Sequence, residues 1–419
     1  MNASEMMDYI HILEKELIPA FGCTEPIAIA YAAAMARKYL DKEPDRMKLS
    51  LSTNIIKNAM GVAVPNSGGM KGVAAAAILG MTGGDSDARL EVLTEVTQRD
   101  VERTVKLLES DFCEVNHLQG DSNLHIIVKL YAGEDSSLVE IIETHLNIIR
   151  VERNGELLYH KKFVKKFEDS NYQMLSIEGI IDFAETVELD KVKVLLDKQI
   201  QMNSAISEEG LRNSYGASVG QTILAEGDSF ASRASARAAA GSDARMDGCC
   251  MPVVINSGSG NQGITVTMPV IEYAEENGCS REKVYRALLI SNLTAIHQKS
   301  HIGSLSAFCG AVCAATGAAA AITWLSGGGY QEICDSITNT LGTIGGMVCD
   351  GAKPSCAAKI AAAVNAAVNG FYMSKAHHRF EPGEGIIKEN IENTIDSIGT
   401  MAREGMKETD NEIIRIMLA

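Results

Sequence analysis

Apolar residues recur at helical spacing near the start of the chain. Met6–Leu17 forms one such run, and an Ala-rich run follows over Pro26–Leu40, where Pro26 suits a first helical turn. The break between them is Phe21-Gly-Cys-Thr-Glu-Pro26. The pattern predicts two helices within the first 45 residues, with Cys23 at the N-terminal end of the second.

Between about residues 46 and 190 the spacing becomes mixed. Apolar and polar residues alternate over Lys48–Thr53 and Asn123–Tyr131, as in half-buried strands. The dipeptide Asn154-Gly155 lies inside a further such segment and indicates a type I′ hairpin. Residues 88–109, by contrast, have helical spacing. This part of the chain therefore predicts a small unit of strands and helices.

From about residue 190 onward the chain is almost wholly helical in pattern, with Gly-rich breaks. Ala307–Leu325 and Ala357–Tyr372 are dense in Ala and suit close helix packing. Residues 302–330 contain no charged residue, yet their Gly, Ser, Thr and Ala favour a buried helix over a membrane span. We expect an α+β fold: a mostly helical domain of residues 1–45 and 190–419, with an inserted small α+β domain of residues 46–189.

Composition narrows the classes of function. The 419 residues are 46% hydrophobic and 22% charged, which is typical of a folded chain with a large core. The net charge of −16 argues against a nucleic-acid partner, because a phosphate backbone requires a basic face. Acidic residues interrupt the first 20 positions, so we expect no signal peptide, no membrane partner and a cytoplasmic location. The Ala- and Gly-rich helices are compatible with a homodimer.

Ten cysteines in a reducing compartment are expected to be free thiols. Cys349 and Cys356 flank a Gly-, Asp- and Pro-containing loop that leads into an Ala-rich helix, and Cys309 would approach from another helix. Thiolates suit iron–sulfur clusters, and three protein ligands leave one iron open for chemistry. Spacing alone leaves a second interpretation open, in which the thiols fill the underside of the loop without a metal.

Gly258-x-Gly260-x-x-Gly263 has the spacing of a dinucleotide fingerprint but lacks the strand–helix context that gives it meaning. Its N–H groups and the polar side chains of Ser259, Asn261 and Gln262 suit a small carboxylate instead. The turn at Ser67-Gly68 suits a small carboxylate in the same way. A plain connection between helices explains either segment equally well.

Taken together, the motifs resemble the L-cysteine desulfidase family, which is similar to the α-domain of iron–sulfur L-serine dehydratases. The resemblance begins near Leu17 and continues to the C-terminus. It rests on five segments in the same order, namely Gly22–Pro26, Ser242–Arg245, Asn256–Ile264, Ser306–Cys309 and Cys349–Cys356.

The resemblance implies an oxygen-sensitive [4Fe–4S] cluster, no pyridoxal phosphate, and conversion of L-cysteine to pyruvate, ammonia and hydrogen sulfide. Cys309, Cys349 and Cys356 match the three iron ligands, and Cys23 matches the remaining catalytic cysteine. The helical domain of residues 1–45 and 190–419 is therefore expected to be the iron–sulfur catalytic domain. Cys313, one helical turn after Cys309, is a second candidate for the third ligand.

We expect Cys23 to remove the Cα proton, with its pKa lowered at a helix N-terminus. Arg245 would bind the substrate carboxylate, although a surface or helix-capping arginine explains its position equally well. The secondary candidates for the carboxylate are Ser67, Gly68, Ser259, Asn261 and Gln262. Cys23 as a resting fourth iron ligand remains an alternative. Two other functions also stay open: serine or threonine dehydration on the same scaffold, and a non-catalytic protein that binds a metal or small ligand.

Overall fold

A computed structural model describes residues 1–118, 122, 124–162, 172–303 and 306–418. The helices in this part of the chain are α1 (Ala3–Glu16), α2 (Thr24–Lys38), α3 (Thr53–Ala59), α4 (Val73–Gly83), α5 (Gln98–Leu108), α6 (Ile177–Thr186), α7 (Lys193–Arg212), α8 (Val219–Glu226), α9 (Phe230–Met246), α10 (Gly260–Glu276), α11 (Arg281–Ile302), α12 (Gly310–Leu325), α13 (Tyr330–Ile344), α14 (Ser355–Lys375), α15 (Ile391–Thr400) and α16 (Lys407–Leu418). The strands are β1 (Pro19–Phe21), β2 (Arg46–Ser52), β3 (Cys113–Leu118), β4 (His125–Ala132), β5 (Asp135–Ile142), β6 (Ile148–Arg153), β7 (Glu156–His160) and β8 (Pro252–Val254). The predicted α+β class is confirmed.

Six strands form one mixed sheet in the order β3-β2-β4-β5-β6-β7. Only the β2–β3 pair is parallel within this sheet, and the remaining neighbours are antiparallel. Buried residues alternate along β4, so one face of the sheet is apolar. Asn154 and Gly155 have φ angles of 51° and 81°, which confirms the predicted hairpin between β6 and β7.

Helix α2 covers the apolar face of the sheet and lies against α4. Gly80 of α4 allows this contact, because a Cβ there would lie 2.2 Å from the carbonyl oxygen of Ala30. The same apolar cluster continues through the Ala-rich faces of α9, α12 and α14. The first helical region therefore packs directly on the predicted insertion, and the division at residues 46 and 189 stays a prediction.

The Ala-rich runs do form the long helices α12 and α14, and α12 is almost completely buried. A second apolar cluster joins α12 to α1, α6, α11, α13 and α15. Across the described residues, we find no helix whose length and apolar character would let it span a membrane. Strand β1 pairs with β8 in a separate two-stranded sheet, with Pro19 opposite Val254. That pairing brings Cys23 beside the loop that begins at Asn256.

One predicted helix is wrong over half its length. Residues 88–109 are helical only from Gln98, and the earlier part is a short 3-10 segment, Ser86–Glu91, followed by turns. The helix starts late because Thr97 and Asp100 cap it reciprocally, each side chain bonding the other's backbone N–H. Strand β4 begins at His125, and Asn123 of the predicted strand lies outside the described residues. Strands β1, β3, β5 and β8 were not predicted.

Candidate active site

Cys309 and Cys349 are placed side by side by backbone hydrogen bonds. The N–H of Cys309 donates to the carbonyl oxygen of Met347 at 2.9 Å, and that of Cys349 donates to Ala307 at 2.6 Å. These bonds belong to a short antiparallel bridge between the two segments. Cys309 is also the N-cap residue of α12. Two of the three predicted ligands are thus juxtaposed by main-chain geometry.

Cys356 approaches the pair from the first turn of α14. Its N–H donates to the carbonyl oxygen of Lys353 at 2.9 Å, which closes the loop after Cys349. Gly351 in this loop has a φ of 93°, and a Cβ there would lie 2.2 Å from the carbonyl oxygen of Lys57. Only glycine accommodates both constraints. Burial raises the pKa of Cys356, and the neighbouring charge of Cys349 raises it further.

Lysines surround these thiols. A hydrogen bond with Cys309 lowers the pKa of Cys349, and Lys57 and Lys299 lower it further. Conversely, the same hydrogen bond and burial raise the pKa of Cys309. Lys57 is 2% exposed and forms an ion pair with Asp410 of α16. The environment therefore favours a thiolate at Cys349.

Two further lysines hold the loop between Cys349 and Cys356. Lys353 forms an ion pair with Asp350 at 2.6 Å, and Lys359 forms a second ion pair with the same carboxylate. Lys359 Nζ also donates to the carbonyl oxygen of Val348 at 2.8 Å. Lys353, to which the sequence assigned no role, thus fixes the shape of the loop.

The donor set fits an iron–sulfur cluster. Within residues that the structure describes, no group of three His, Cys, Asp or Glu side chains is arranged to hold a single metal ion. A [4Fe–4S] cluster has different needs: thiolate ligands at separate irons and positive groups around an anionic core. Cys309 and Cys356 lie at helix N-termini, where backbone N–H groups stabilise negative charge. Cys313 lies instead in the apolar cluster of α12, and burial raises its pKa to about 11.

Cys23 is the N-cap residue of α2, as the sequence predicts, and is 2% exposed. Its Sγ donates to Glu25 Oε2 at 3.1 Å, and the Thr24 hydroxyl lies 3.0 Å from the same oxygen. Asn58 Nδ2 donates to Glu25 Oε1 at 3.2 Å. The predicted lowering of the Cys23 pKa is wrong: burial raises it well above the usual value, and Glu25 adds to the increase, opposed by Arg245. Burial outweighs the helix end here.

Cys23 and Cys356 pack in the same small group of apolar side chains, together with Val62, Met246 and Ala352. The predicted base therefore lies close to a predicted ligand of the iron–sulfur cluster. The Thr24 hydroxyl is also 3.0 Å from the carbonyl oxygen of Gly258, which ties Cys23 to the Gly-rich loop.

Arg245, in the last turn of α9, is 2% exposed and faces that loop. Its Nη1 donates to Asn261 Oδ1 at 3.1 Å, and its buried Nε has no partner among the described residues. A Cβ on Gly260 would lie 2.4 Å from this Nε, so glycine permits the guanidinium to lie on the start of α10. Gln262 packs against Gly310, the residue after Cys309, with its buried Oε1 also unpartnered in the described chain.

The other predicted substrate contacts have structural roles. Ser259 caps α10, with its Oγ accepting from the N–H of Gln262 at 3.4 Å. Ser67 is 1% exposed, and its hydroxyl donates to the carbonyl oxygen of Met70 at 3.3 Å. Gly68, with a φ of 72°, lies in the same turn. In the described part of the chain no hydrogen bond joins this turn to Arg245 or Cys23, and its role in substrate binding stays a prediction.

Three residues of the site were missed in the sequence. Lys57 has no stronger sequence signal than its position after Ile55 and Ile56 in α3, and Glu25 lies in a quoted motif without an assigned role. His145 has no sequence signal at all. It lies between β5 and β6, and its buried Nε2 has no partner among the described residues. A Cβ on Gly258 would lie 3.5 Å from the His145 ring, which places the imidazole over the Gly-rich loop.

Two surface cavities lie away from these residues. The larger, about 490 Å³, is formed by the amino terminus and α6 and includes Tyr9 and Asp182. The smaller, about 100 Å³, is lined by residues of α13 and the segment before α15. Neither contains a predicted site residue. We therefore identify the candidate site from the contacts between its side chains and not from a cavity.

Comparison with known proteins identifies relatives over the whole chain. The serine dehydratase alpha chain family matches residues 87–415. A UPF0597 protein of Lachnoclostridium phytofermentans is 52% identical over 98% of this chain and 99% of its own length. Corresponding UPF0597 proteins of Desulfitobacterium hafniense and Finegoldia magna are 48% and 47% identical, over 98% and 99% of this chain and 96% and 100% of their own lengths.

Proposed function

Because this chain belongs to the serine dehydratase alpha chain family, we propose that it is a [4Fe–4S]-dependent lyase that converts L-cysteine to pyruvate, ammonia and hydrogen sulfide. The observation that carries this proposal is the antiparallel bridge between Phe308 and Val348, which brings Cys309 and Cys349 together. Cys356 lies next to this pair and close to Cys23. A thiol-rich site beside a buried arginine suits a reaction on a small amino acid.

Cys309, Cys349 and Cys356 would hold the cluster. Cys309 is preferred over Cys313 because it contacts Cys349, whereas Cys313 lies in the helix core. When bound, such a cluster supplies a Lewis-acidic iron that stabilises the departing sulfide.

The protein's own residues bind the substrate and move its proton. Arg245 binds the carboxylate through its unpartnered Nε, with Asn261 orienting the guanidinium. Cys23 removes the Cα proton at Sγ once its thiol is ionised, a state that the positive charge of Arg245 favours. The Cα electron pair then forms the Cα–Cβ double bond as the C–S bond breaks. The resulting aminoacrylate tautomerises and is hydrolysed to pyruvate and ammonia.

Anaerobic reconstitution with iron and sulfide, followed by assay of sulfide and pyruvate from L-cysteine, tests the proposal. We expect visible iron–sulfur absorption and equal amounts of the two products. Cys23→Ala should keep the absorption and lose turnover by at least about 100-fold, the usual effect of removing a catalytic base. Cys279→Ser, in the short link between α10 and α11, is the control. Absence of both absorption and sulfide release in wild type would refute the proposal.

Dehydration of L-serine or L-threonine at the same site is the second candidate, favoured by the name of the matched family. It requires the same carboxylate contact and the same proton removal, with hydroxide as the leaving group. Production of a 2-oxo acid from L-serine, with no sulfide released from L-cysteine, would support it over desulfidation.

A further inference from the structure

Glu25 and Arg245 are oppositely charged, buried, and without an ion-pair partner in the described chain. Glu25 is 9% exposed, and its hydrogen bonds come from neutral groups on Cys23, Thr24 and Asn58. Arg245 is 2% exposed and donates to the neutral amide of Asn261. Both charges act on Cys23, Glu25 raising and Arg245 lowering its pKa. Two lone charges of opposite sign therefore lie around one reactive thiol.

This arrangement differs from that of another buried acid in the protein. Glu272, 7% exposed, accepts from Arg233 at 2.6 Å and from Arg237 at 2.9 Å. Such pairing is the usual condition for a buried charge, because removing a charge from water is costly. An unpaired acid and an unpaired arginine in the same site are complementary to a ligand that carries both a positive and a negative group.

His145 adds a third polar atom to the same place. Its Nε2 is buried without a partner among the described residues, and its ring lies over Gly258, the residue that Thr24 contacts. Burial lowers the pKa of His145, and the charge of Glu25 opposes that shift. A neutral imidazole nitrogen is a hydrogen-bond acceptor suited to an N–H group.

We propose that Glu25 and His145 form the receptor for the α-ammonium group of the substrate, while Arg245 takes its α-carboxylate, so that the site selects an α-amino-acid zwitterion. This inference rests on the proposed function, which it extends from a reaction to the recognition of its substrate. Two fixed anchors on Cα, with Cys23 facing the Cα hydrogen, also admit only one configuration at Cα. Asn58 and Thr24 are positioning residues that hold the Glu25 carboxylate.

The test compares two ligands without a leaving group, L-alanine and propionate, which differ in the α-ammonium group. Their binding to anaerobically reconstituted protein is measured by calorimetry. Wild type should bind L-alanine at least about 10-fold more tightly than propionate, since hydrogen bonds to charged groups contribute roughly 1.5–3 kcal/mol. Glu25→Gln should lower the L-alanine affinity about 10- to 100-fold and leave that of propionate unchanged.

Three further variants sharpen the result. His145→Phe keeps the ring but removes Nε2, and should reduce the preference for L-alanine by a smaller factor than Glu25→Gln. Arg245→Gln should weaken both ligands alike. Glu109→Gln, the same substitution at an exposed position, should change neither affinity. Melting temperatures without ligand identify any variant that is misfolded.

Equal loss of both ligands in Glu25→Gln, equal affinity of wild type for the two ligands, or no binding of either would overturn the inference. Failure of the proposed function has a different signature. In that case wild type would prefer L-alanine as expected, and yet the reconstituted protein would release no sulfide from L-cysteine.

Discussion

The two halves of the candidate site are constructed differently. The thiol half (Cys309, Cys349 and Cys356) is held largely by backbone hydrogen bonds and by a glycine at positive φ. The charged half (Glu25, His145 and Arg245) is held by side-chain contacts from three separate parts of the chain, namely α2, the loop between β5 and β6, and α9. The thiol half should therefore keep its shape when single side chains change, whereas the charged half depends on the packing between its elements.

Cys349→Ser gives the strongest separation of the halves. Replacing this thiol removes one of three ligands, so we expect loss of iron–sulfur absorption and of sulfide release to background. Binding of propionate through Arg245 should change by less than about 3-fold, because the charged half is built from other elements. Absorption spectra and calorimetry on one sample measure both. Parallel loss of propionate binding would show that the halves are not independent.

Lys57→Met tests the positive surroundings of the thiol half. It leaves Asp410, whose side chain is 15% exposed, without its ion-pair partner, and we expect unfolding to become easier by about 3 kcal/mol. Lys48→Met, at a side chain that is 40% exposed and paired with Glu114, should cost less than about 1 kcal/mol. Urea unfolding of the two variants measures the difference. Similar losses of unfolding free energy in the two variants would mean that the Lys57–Asp410 ion pair stabilises the fold no more than an exposed ion pair does.

The difference in construction explains how far the sequence alone could lead. Cys349 and Cys356 are close in the chain, and the turn between them is fixed locally, so their proximity was predictable. Helix α2 with Cys23 at its start, and the hairpin at Asn154-Gly155, follow from local pattern in the same way.

The residues of the charged half were harder to predict from local sequence patterns. His145 reaches the site only because the sheet and α2 pack together, and no periodicity encodes that distance. The predicted direction of the Cys23 pKa shift was wrong for a related reason. The helix end is a local feature, whereas burial and the Glu25 contact depend on the folded surroundings. Motif matching located the thiols, but only the packed structure located their charged neighbours.

Gly260→Ala tests the packing on which the charged half depends. The new methyl group would lie 2.4 Å from Arg245 Nε, so the guanidinium has to move away from the loop. We expect propionate and L-alanine to bind about 10-fold more weakly and iron–sulfur absorption to persist, because a displaced arginine loses one charge-assisted hydrogen bond. Gly346→Ala, at a position with no atom within 4 Å of the new carbon, is the matched control. Equal ligand affinities of the two variants would show that Arg245 does not bind the carboxylate.

Asp243→Asn probes the scaffold behind Arg245 and has the smallest expected effect. Asp243 is 1% exposed on α9; its Oδ2 accepts from the N–H of Gly220 at 2.9 Å, and its Oδ1 has no partner among the described residues. Burial raises the pKa of this carboxyl from 3.8 to about 6. The folded protein thus holds the proton more tightly than the unfolded chain, and stability is lost as the pH rises through the folded pKa.

Asparagine keeps the acceptor and removes the charge, so the two proteins should have equal free energies of unfolding below the unfolded pKa. Above pH 6 the variant should be more stable by about 1–2 kcal/mol, since one pKa unit corresponds to about 1.4 kcal/mol and part of the shift is screened by solvent. Urea unfolding at about pH 3, below the unfolded pKa, and at pH 7 measures this, with the exposed Asp190→Asn as control. A variant less stable at pH 7 would mean that α9 needs the ionised Asp243. The ionised Asp243 would then help to position Arg245, and the charged half would be held by electrostatic interactions as well as by packing.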